Sequence, residues 1–263
     1  MKIDGKKIAA LLEGEIRSAI DACDKKLTLG IFMIAPTKET ESFVRIKKKK
    51  AGELGVDVHE VLLDKNVSEE QALSEFIKLT SVCDGVVLQQ PIPNNFSLKK
   101  FYEVLPVEKD IDALTEGAPY LSPVAGALDE IFSFYKISLE EKRAVVIGSG
   151  KLVGLPASAL LKDGGAEVSV MTKETGINVD LLRNADIIVS GAGRPGLLTK
   201  DMVSKDSIII DAGTSESRGA IVGDVDPECY EYAALVSPVP GGVGPITVMY
   251  LFKNLFKSAS CAL

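Results

Sequence analysis

Tryptophan is absent from this chain of 263 residues, histidine occurs once, and no apolar run is long enough to span a bilayer. With His59 as the sole histidine, acid–base chemistry falls mostly to Lys, Asp, Glu or Tyr. The four cysteines, Cys23, Cys83, Cys229 and Cys261, lie far apart without a C-x-x-C pair, which argues against a zinc site or other metal and for a reducing cytoplasm. A signal-peptide pattern, internal repeats and low-complexity linkers are all lacking. Positive charge is in deficit too: 30 Lys and Arg against 37 Asp and Glu give a net charge of −7. That balance disfavours general nucleic-acid affinity but says little about small anions, which respond to local charge. The expectation is a soluble cytoplasmic protein with neither a nucleic-acid nor a membrane partner.

What is present is an alternation of helical and strand patterns. Ile8, Leu11, Leu12, Ile16 and Ile20 recur at helical spacing, and the strand-like runs 28–34, 56–63 and 84–93, the last entering a proline-stiffened loop, are separated by helical stretches at 41–54 and 68–79. Helices are also expected at about 97–105 and 126–135. The predicted fold is α/β, with two α/β lobes and a cleft between them, the C-terminal lobe being a Rossmann-like parallel sheet. Residues 1–118 are expected to form one domain and 119–243 the nucleotide-binding one, with a terminal helix at 244–263 packing back on the first.

The nucleotide lobe is read from RAVVIGSGKLVGLP (143–156), where strand formers lead into a glycine turn and an Ala/Leu-rich helix. Gly148 and Gly150 suit a tight turn, and the helix start offers free N–H groups to a pyrophosphate. Gly154 falls one position later than the G-x-G-x-x-G dinucleotide pattern requires. Short apolar runs at 167–171, 185–193 and 207–213 follow, the last two ending in small residues, with Gly191, Gly193 and Gly213 where a cofactor would pass. A Pro/Gly-dense segment, SPVPGGVGPIT (237–247), then precedes an apolar helix.

Chemistry is expected from Lys47 in ESFVRIKKKK, which shares a helix face with Phe43 four residues earlier. Burial, or the charges of Lys48, Lys49 and Lys50, would draw its pKa down towards neutrality. The competing reading is a solvated basic helix face. Gln89 and Asp112 each follow an apolar segment; an amide can orient a lysine, and a carboxylate can grip an N–H edge. Asp110 and Asp112 serve equally well as turn or cap residues on spacing alone.

Together SFVRIK (42–47), VLQQPIP (87–93), KDID (109–112), GSGKLVGLP (148–156) and PVPGGVGPIT (238–247) resemble the bifunctional methylenetetrahydrofolate dehydrogenase/methenyltetrahydrofolate cyclohydrolase family, in its order and over almost the whole chain. The resemblance implies oxidation of 5,10-methylenetetrahydrofolate by NADP, then hydrolysis of the methenyl product to 10-formyltetrahydrofolate. It implies Lys47 as the central catalytic residue, Gln89 supporting it, Asp112 binding the pterin, and Phe43, Pro240 and Gly241 lining the folate site. It assigns the cofactor to Gly148, Ser149, Gly150, Lys151, Leu152, Thr172, Lys173, Gly193, Thr214 and Thr247. It further implies a homodimer formed through the nucleotide domain and a role in one-carbon metabolism that serves purine biosynthesis.

Departures from the family pattern set the alternatives. Phe43 stands where the family usually has tyrosine, so a monofunctional dehydrogenase without cyclohydrolase activity, or a non-catalytic folate- or nucleotide-binding protein, remains open. LSPVAG (121–126) matches the family's P-C-T-P-x-G stretch only loosely. Ser149 occupies the place of an arginine found in NADP-using relatives. Lys173 and Lys151 favour NADP by charge, while Glu174 would suit the ribose hydroxyls of NAD. A small hydroxy-acid dehydrogenase is the other enzyme reading, yet only Arg17 and Arg45 lie outside the nucleotide lobe to bind a carboxylate.

Overall fold

The computed structural model describes residues 1–217 and 220–259; Cys261 and the end of the expected terminal helix lie outside them. Its α-helices and β-strands gather into two compact units, residues 13–123 with those from 248 onwards, and residues 1–12 with 124–247.

The opening helix α1 (Gly5–Asp21) begins in the second of these units and continues into the first. In the first unit β1 (Thr28–Ile34) is followed by α2 (Lys38–Glu53), β2 (Asp57–Leu63), α3 (Glu69–Val82), β3 (Gly85–Leu88) and α4 (Leu98–Val104). The strands form a parallel sheet in the order β2-β1-β3. TLGIFMI and GVVL are apolar without alternation because both faces of β1 and β3 are covered.

Helix α2 starts earlier than periodicity suggested, because Thr37 caps it by accepting the N–H of Thr40 at 3.2 Å. Glu39 and Glu41 in its first turn and Lys50 in its last complement the helix dipole. Ser68 and Gln71 close a reciprocal capping box on α3. The core under α3 and α4 holds Phe32, Phe76 and Phe101, with ring centroids 5.0 Å apart for Phe32–Phe76 and 5.4 Å for Phe76–Phe101. Edge-on pairs of this kind contribute about 0.5–1.5 kcal/mol each beyond their buried area. The segment 84–93 is, as expected, a strand running into a proline-stiffened loop: the strand ends at Leu88, and the chain turns through a cis Gln90–Pro91 bond.

The second unit carries α5 (Pro123–Phe134), β4 (Arg143–Ile147), α6 (Gly154–Asp163), β5 (Glu167–Met171), α7 (Val179–Arg183), β6 (Ile187–Ser190) and β7 (Ile208–Asp211). A hairpin of β8 (Ser215–Ser217) and β9 (Ala220–Val222), then α8 (Cys229–Tyr232) and β10 (Leu235–Val236), lead to α9 (Val243–Ser258). Five strands pair in parallel in the order β10-β7-β6-β4-β5, the Rossmann-like sheet expected from the alternation. Its glycine turn follows β4, the strand between β6 and the edge strand β5, at the carboxyl end where α/β sheets bind ligands.

Residues 1–12, expected with the first domain, cluster instead with the nucleotide unit. The cause is backbone pairing at the sheet edge: Ile3 N–H donates to Val236 O at 2.9 Å, beside a parallel bridge between Lys2 and Val236. From 248 onwards the chain belongs with residues 13–123, tied there by Asn254, whose side-chain amide donates to the carbonyls of Ile111 and Leu121, both at 2.9 Å. Among the described residues no helix is long and apolar enough to cross a membrane.

Candidate active site

Two elements of the first unit bring Lys47 and Gln89 together. Lys47 lies on α2, and Gln89 follows the last residue of β3, its backbone N–H held by Phe32 O at 2.9 Å. The Lys47 ammonium donates to Gln89 Oε1 at 2.7 Å, and Gln89 Nε2 donates in turn to the carbonyl of Gln90 at 3.1 Å. The amide therefore has a fixed orientation, oxygen towards the lysine. Phe43 sits one turn before Lys47 and is partly buried, as is Ser42.

Asp112 completes the group electrostatically. Burial pushes the Lys47 pKa below the ordinary lysine value, against the opposing pull of the Asp112 carboxylate. Burial likewise pushes Asp112 above the usual carboxylate range, with Asp110 adding to the rise and Lys47 countering it. Burial thus works against the charged form of each group, while the charge of each favours the charged form of the other.

The lysine run plays a different part from the one expected. Lys48, Lys49 and Lys50 are not what lowers Lys47; Lys48 pairs with Glu60, Lys49 reaches Glu53 at 3.8 Å, and Lys50 reaches Glu13 at 2.8 Å and Glu53 at 2.5 Å. Their charges are matched by acids on the outer face, and desolvation does the work on Lys47. The two aspartates also separate in role. Asp110 is buried and accepts from the N–H of Leu114 at 2.8 Å and from the N–H and hydroxyl of Thr115 at 2.6 and 2.7 Å, so it is the turn residue. Among the described residues the Asp112 carboxyl makes no hydrogen bond, which leaves it for a ligand.

In the second unit the glycine turn borders a cavity of about 320 Å³. Gly148 takes φ +106°, and a Cβ there would meet the Gly191 carbonyl oxygen at 2.9 Å. A Cβ on Gly154 would lie 2.1 Å from the Gly148 carbonyl oxygen. The displaced third glycine therefore packs helix against turn, the service its counterpart gives in the shorter pattern.

Gly148, Ser149, Gly150, Thr172 and Lys173 line this cavity with Glu174, Gly191, Ala192 and Arg194. Lys151 and Leu152 are exposed residues of the turn that precedes α6, and Gly193 stands beside the lining with φ +62°. Thr214 is exposed beyond β7. Pro240 and Gly241 lie in the turn before α9, where Val239–Pro240 is cis, Gly241 has φ +103° and Gly242 N–H closes on Pro238 O at 2.8 Å. Thr247 is on α9, its hydroxyl donating to Gly244 O at 2.7 Å.

Two features escaped sequence reading. Arg194 lies one residue beyond the apolar run that ends at Gly193, outside the pattern that marks the cofactor loops. Asp224 is fully buried and accepts from the hydroxyl of Ser190 at 2.7 Å and the N–H groups of Ala192 and Arg194 at 2.7 and 2.6 Å. It thereby fixes the loop that carries Arg194 to the cavity. Beside it, burial pushes the Asp211 pKa up to about 6 despite three backbone donors.

Comparison with known proteins shows the family of the chain. Residues 3–112 match the family model for the tetrahydrofolate dehydrogenase/cyclohydrolase catalytic domain, and residues 111–263 that for its NAD(P)-binding domain. The bifunctional protein FolD of Staphylococcus aureus (strain Newman) is 34% identical over 96% of this chain and 94% of its own length. The structure of the bifunctional FolD methylenetetrahydrofolate dehydrogenase/cyclohydrolase from Campylobacter jejuni superposes with a TM-score of 0.93 at 29% identity, covering 98% of each chain. The Trypanosoma brucei enzyme, solved in complex with NADP cofactor and an inhibitor, gives 0.90 at 30% identity over 98% of this chain and 97% of its own.

Proposed function

The chain belongs to the tetrahydrofolate dehydrogenase/cyclohydrolase family, and on that premise we propose that it oxidises 5,10-methylenetetrahydrofolate with NADP and hydrolyses the methenyl product to 10-formyltetrahydrofolate, with Lys47 as the central catalytic residue. The observation that carries the assignment of Lys47 is its 2.7 Å bond to Gln89 within the field of Asp112.

The residues around the glycine turn fit a dinucleotide. A Cβ on Gly148 would meet Gly191, one on Gly154 would meet Gly148 and one on Gly191 would meet Val153, so only glycine lets the turn close against the start of α6, where backbone N–H groups can receive a pyrophosphate. Thr172, Lys173 and Arg194 would take the adenosine end. Glu174 accepts the Thr172 hydroxyl at 2.6 Å, and the cations of Lys173 and Arg194 in the same lining are what favours NADP over NAD. The family relative from Trypanosoma brucei binds NADP, in line with this choice. When bound, NADP supplies the hydride acceptor for the methylene carbon.

The chain's own residues do the rest. Asp112, protonated more readily than a surface carboxyl, grips the N–H edge of the pterin and places the one-carbon bridge. Gln89 holds one N–H of the Lys47 amine, so that its lone pair points elsewhere in the site. In the hydrolytic step the neutral amine takes a proton from the attacking water as the C–O bond forms at the methenyl carbon; the ring C–N bond then opens, and one proton leaves to solvent. Lowering the lysine pKa by burial raises the fraction of amine able to do this.

Phe43, partly buried beside Lys47 and without a hydroxyl, favours one second reading, a dehydrogenase with little hydrolytic activity. Cytoplasmic residence, a homodimer and a contribution to purine biosynthesis belong to the same proposal and rest on family membership. The test is to supply purified protein with methylenetetrahydrofolate and NADP or NAD, and separately to follow hydrolysis of methenyltetrahydrofolate. Reduction of NADP with hydrolysis is expected; reduction alone favours the second reading, and no reduction of either cofactor overturns the proposal.

A further inference from the structure

The hydrogen bonds around Lys47 do not end at Gln89. Gln89 Nε2 donates to the backbone carbonyl of Gln90 at 3.1 Å, and Gln90 Nε2 donates to the Tyr102 hydroxyl at 2.7 Å. With the 2.7 Å bond from Lys47, a continuous run of three bonds passes from α2 across the end of β3 to α4. All four residues are partly buried, where such bonds are better shielded from water than on an open surface.

The segment they brace needs bracing. The Gln89 N–H makes the last backbone bond of β3 to the sheet, to Phe32 O at 2.9 Å, and the chain then leaves the sheet and turns at Pro91. The orientation of the Gln89 amide depends on where the Gln90 carbonyl points. The tether from the Gln90 side chain to α4 limits rotation of that residue. Tyr102 also lies within the field of Asp112: burial raises its phenol pKa first, and the Asp112 and Asp110 charges raise it further, so the hydroxyl stays protonated beside the carboxyl.

We propose that Tyr102 is a positioning residue for the folate reaction: through Gln90 it fixes the Gln89 amide, and through that amide the amine of Lys47. The alternative is a polar pair that merely satisfies itself at the surface of α4. The inference rests on the reading of Lys47 and Gln89 as the folate site.

Tyr102→Phe removes only the hydroxyl. In the full chain it is expected to lower kcat for methenyltetrahydrofolate hydrolysis about 5-fold or more with a smaller change in KM. The same substitution made on top of Gln89→Ala should add almost nothing, because the residue it acts through is gone. Replacing both partners, Gln90→Leu with Tyr102→Phe, restores apolar packing and should leave kcat low. Full recovery of kcat in that double variant, an additive loss on the Gln89→Ala background, or an unaltered kcat in Tyr102→Phe overturns the inference. Thermal midpoints of each variant separate unfolding from these effects. Unmodified protein is the control: absence of folate turnover there refutes the functional reading itself, whereas turnover that Tyr102→Phe leaves intact refutes only the role of Tyr102.

Discussion

Lys47 Nζ donates to Oε1 of Gln89 at 2.7 Å, joining a helix to the end of a strand 42 positions along the chain. Gln89→Leu keeps the bulk and removes the acceptor, leaving a partly buried amine donor unmatched. A lost partner of this kind costs about 1–3 kcal/mol, so kcat/KM should fall roughly 10- to 100-fold. Steady-state kinetics on both folate substrates would show it; a variant within about 2-fold of the parent would remove Gln89 from the account.

The Asp112 charge is what holds the Lys47 pKa up against burial. Removing that charge with Asp112→Asn should lower the lysine pKa further, so the rising limb of the pH–rate profile moves to lower pH. The sign follows from the cause: an amine stabilised as its cation by a neighbouring carboxylate loses protons more readily without it. A limb displaced to higher pH, or left in place, would show that another group governs the profile.

Phe43 lies one turn from Lys47 on the same helix and brings no hydroxyl to it. Phe43→Tyr is expected to raise cyclohydrolase turnover while dehydrogenase turnover changes by less than about 2-fold, since hydride transfer is mainly a matter of positioning. The two rates measured on one preparation decide this, and equal changes in both would count against a specific role in hydrolysis.

Much of this was legible in the sequence, and what was not has identifiable causes. EVSVM is the strand expected, because apolar runs bounded by turn residues declare themselves. Lys47, Gln89 and Asp112 were named from motifs, yet neither the cause of the low lysine pKa nor the division of labour between Asp110 and Asp112 was readable, since desolvation and hydrogen-bond partners are tertiary. The pairing of Ile3 with Val236 and the burial of Asp224 also depend on contacts between distant segments. The two-residue β10 and the β8–β9 hairpin are too short for periodicity to register. Tyr102 fell in an ordinary amphipathic helix and carried no signal of its own.

Gly154 tests the turn. Its missing Cβ leaves room for the Gly148 carbonyl, which a methyl group would approach to 2.1 Å. Gly154→Ala should cost about 1–3 kcal/mol from overpacking, seen as a Tm lower by several degrees. NADPH binding, followed by fluorescence titration, should weaken as the turn shifts. An unchanged Tm together with unchanged affinity would mean that the turn yields freely.

The central claim is that Lys47 carries the folate chemistry while the glycine turn holds the cofactor independently. The most direct measurement compares Lys47→Met with unmodified protein for hydrolysis of methenyltetrahydrofolate and for NADPH affinity. Hydrolysis reduced by about 100-fold or more, with NADPH bound as before, is the predicted result. Hydrolysis retained at close to the original rate would contradict it.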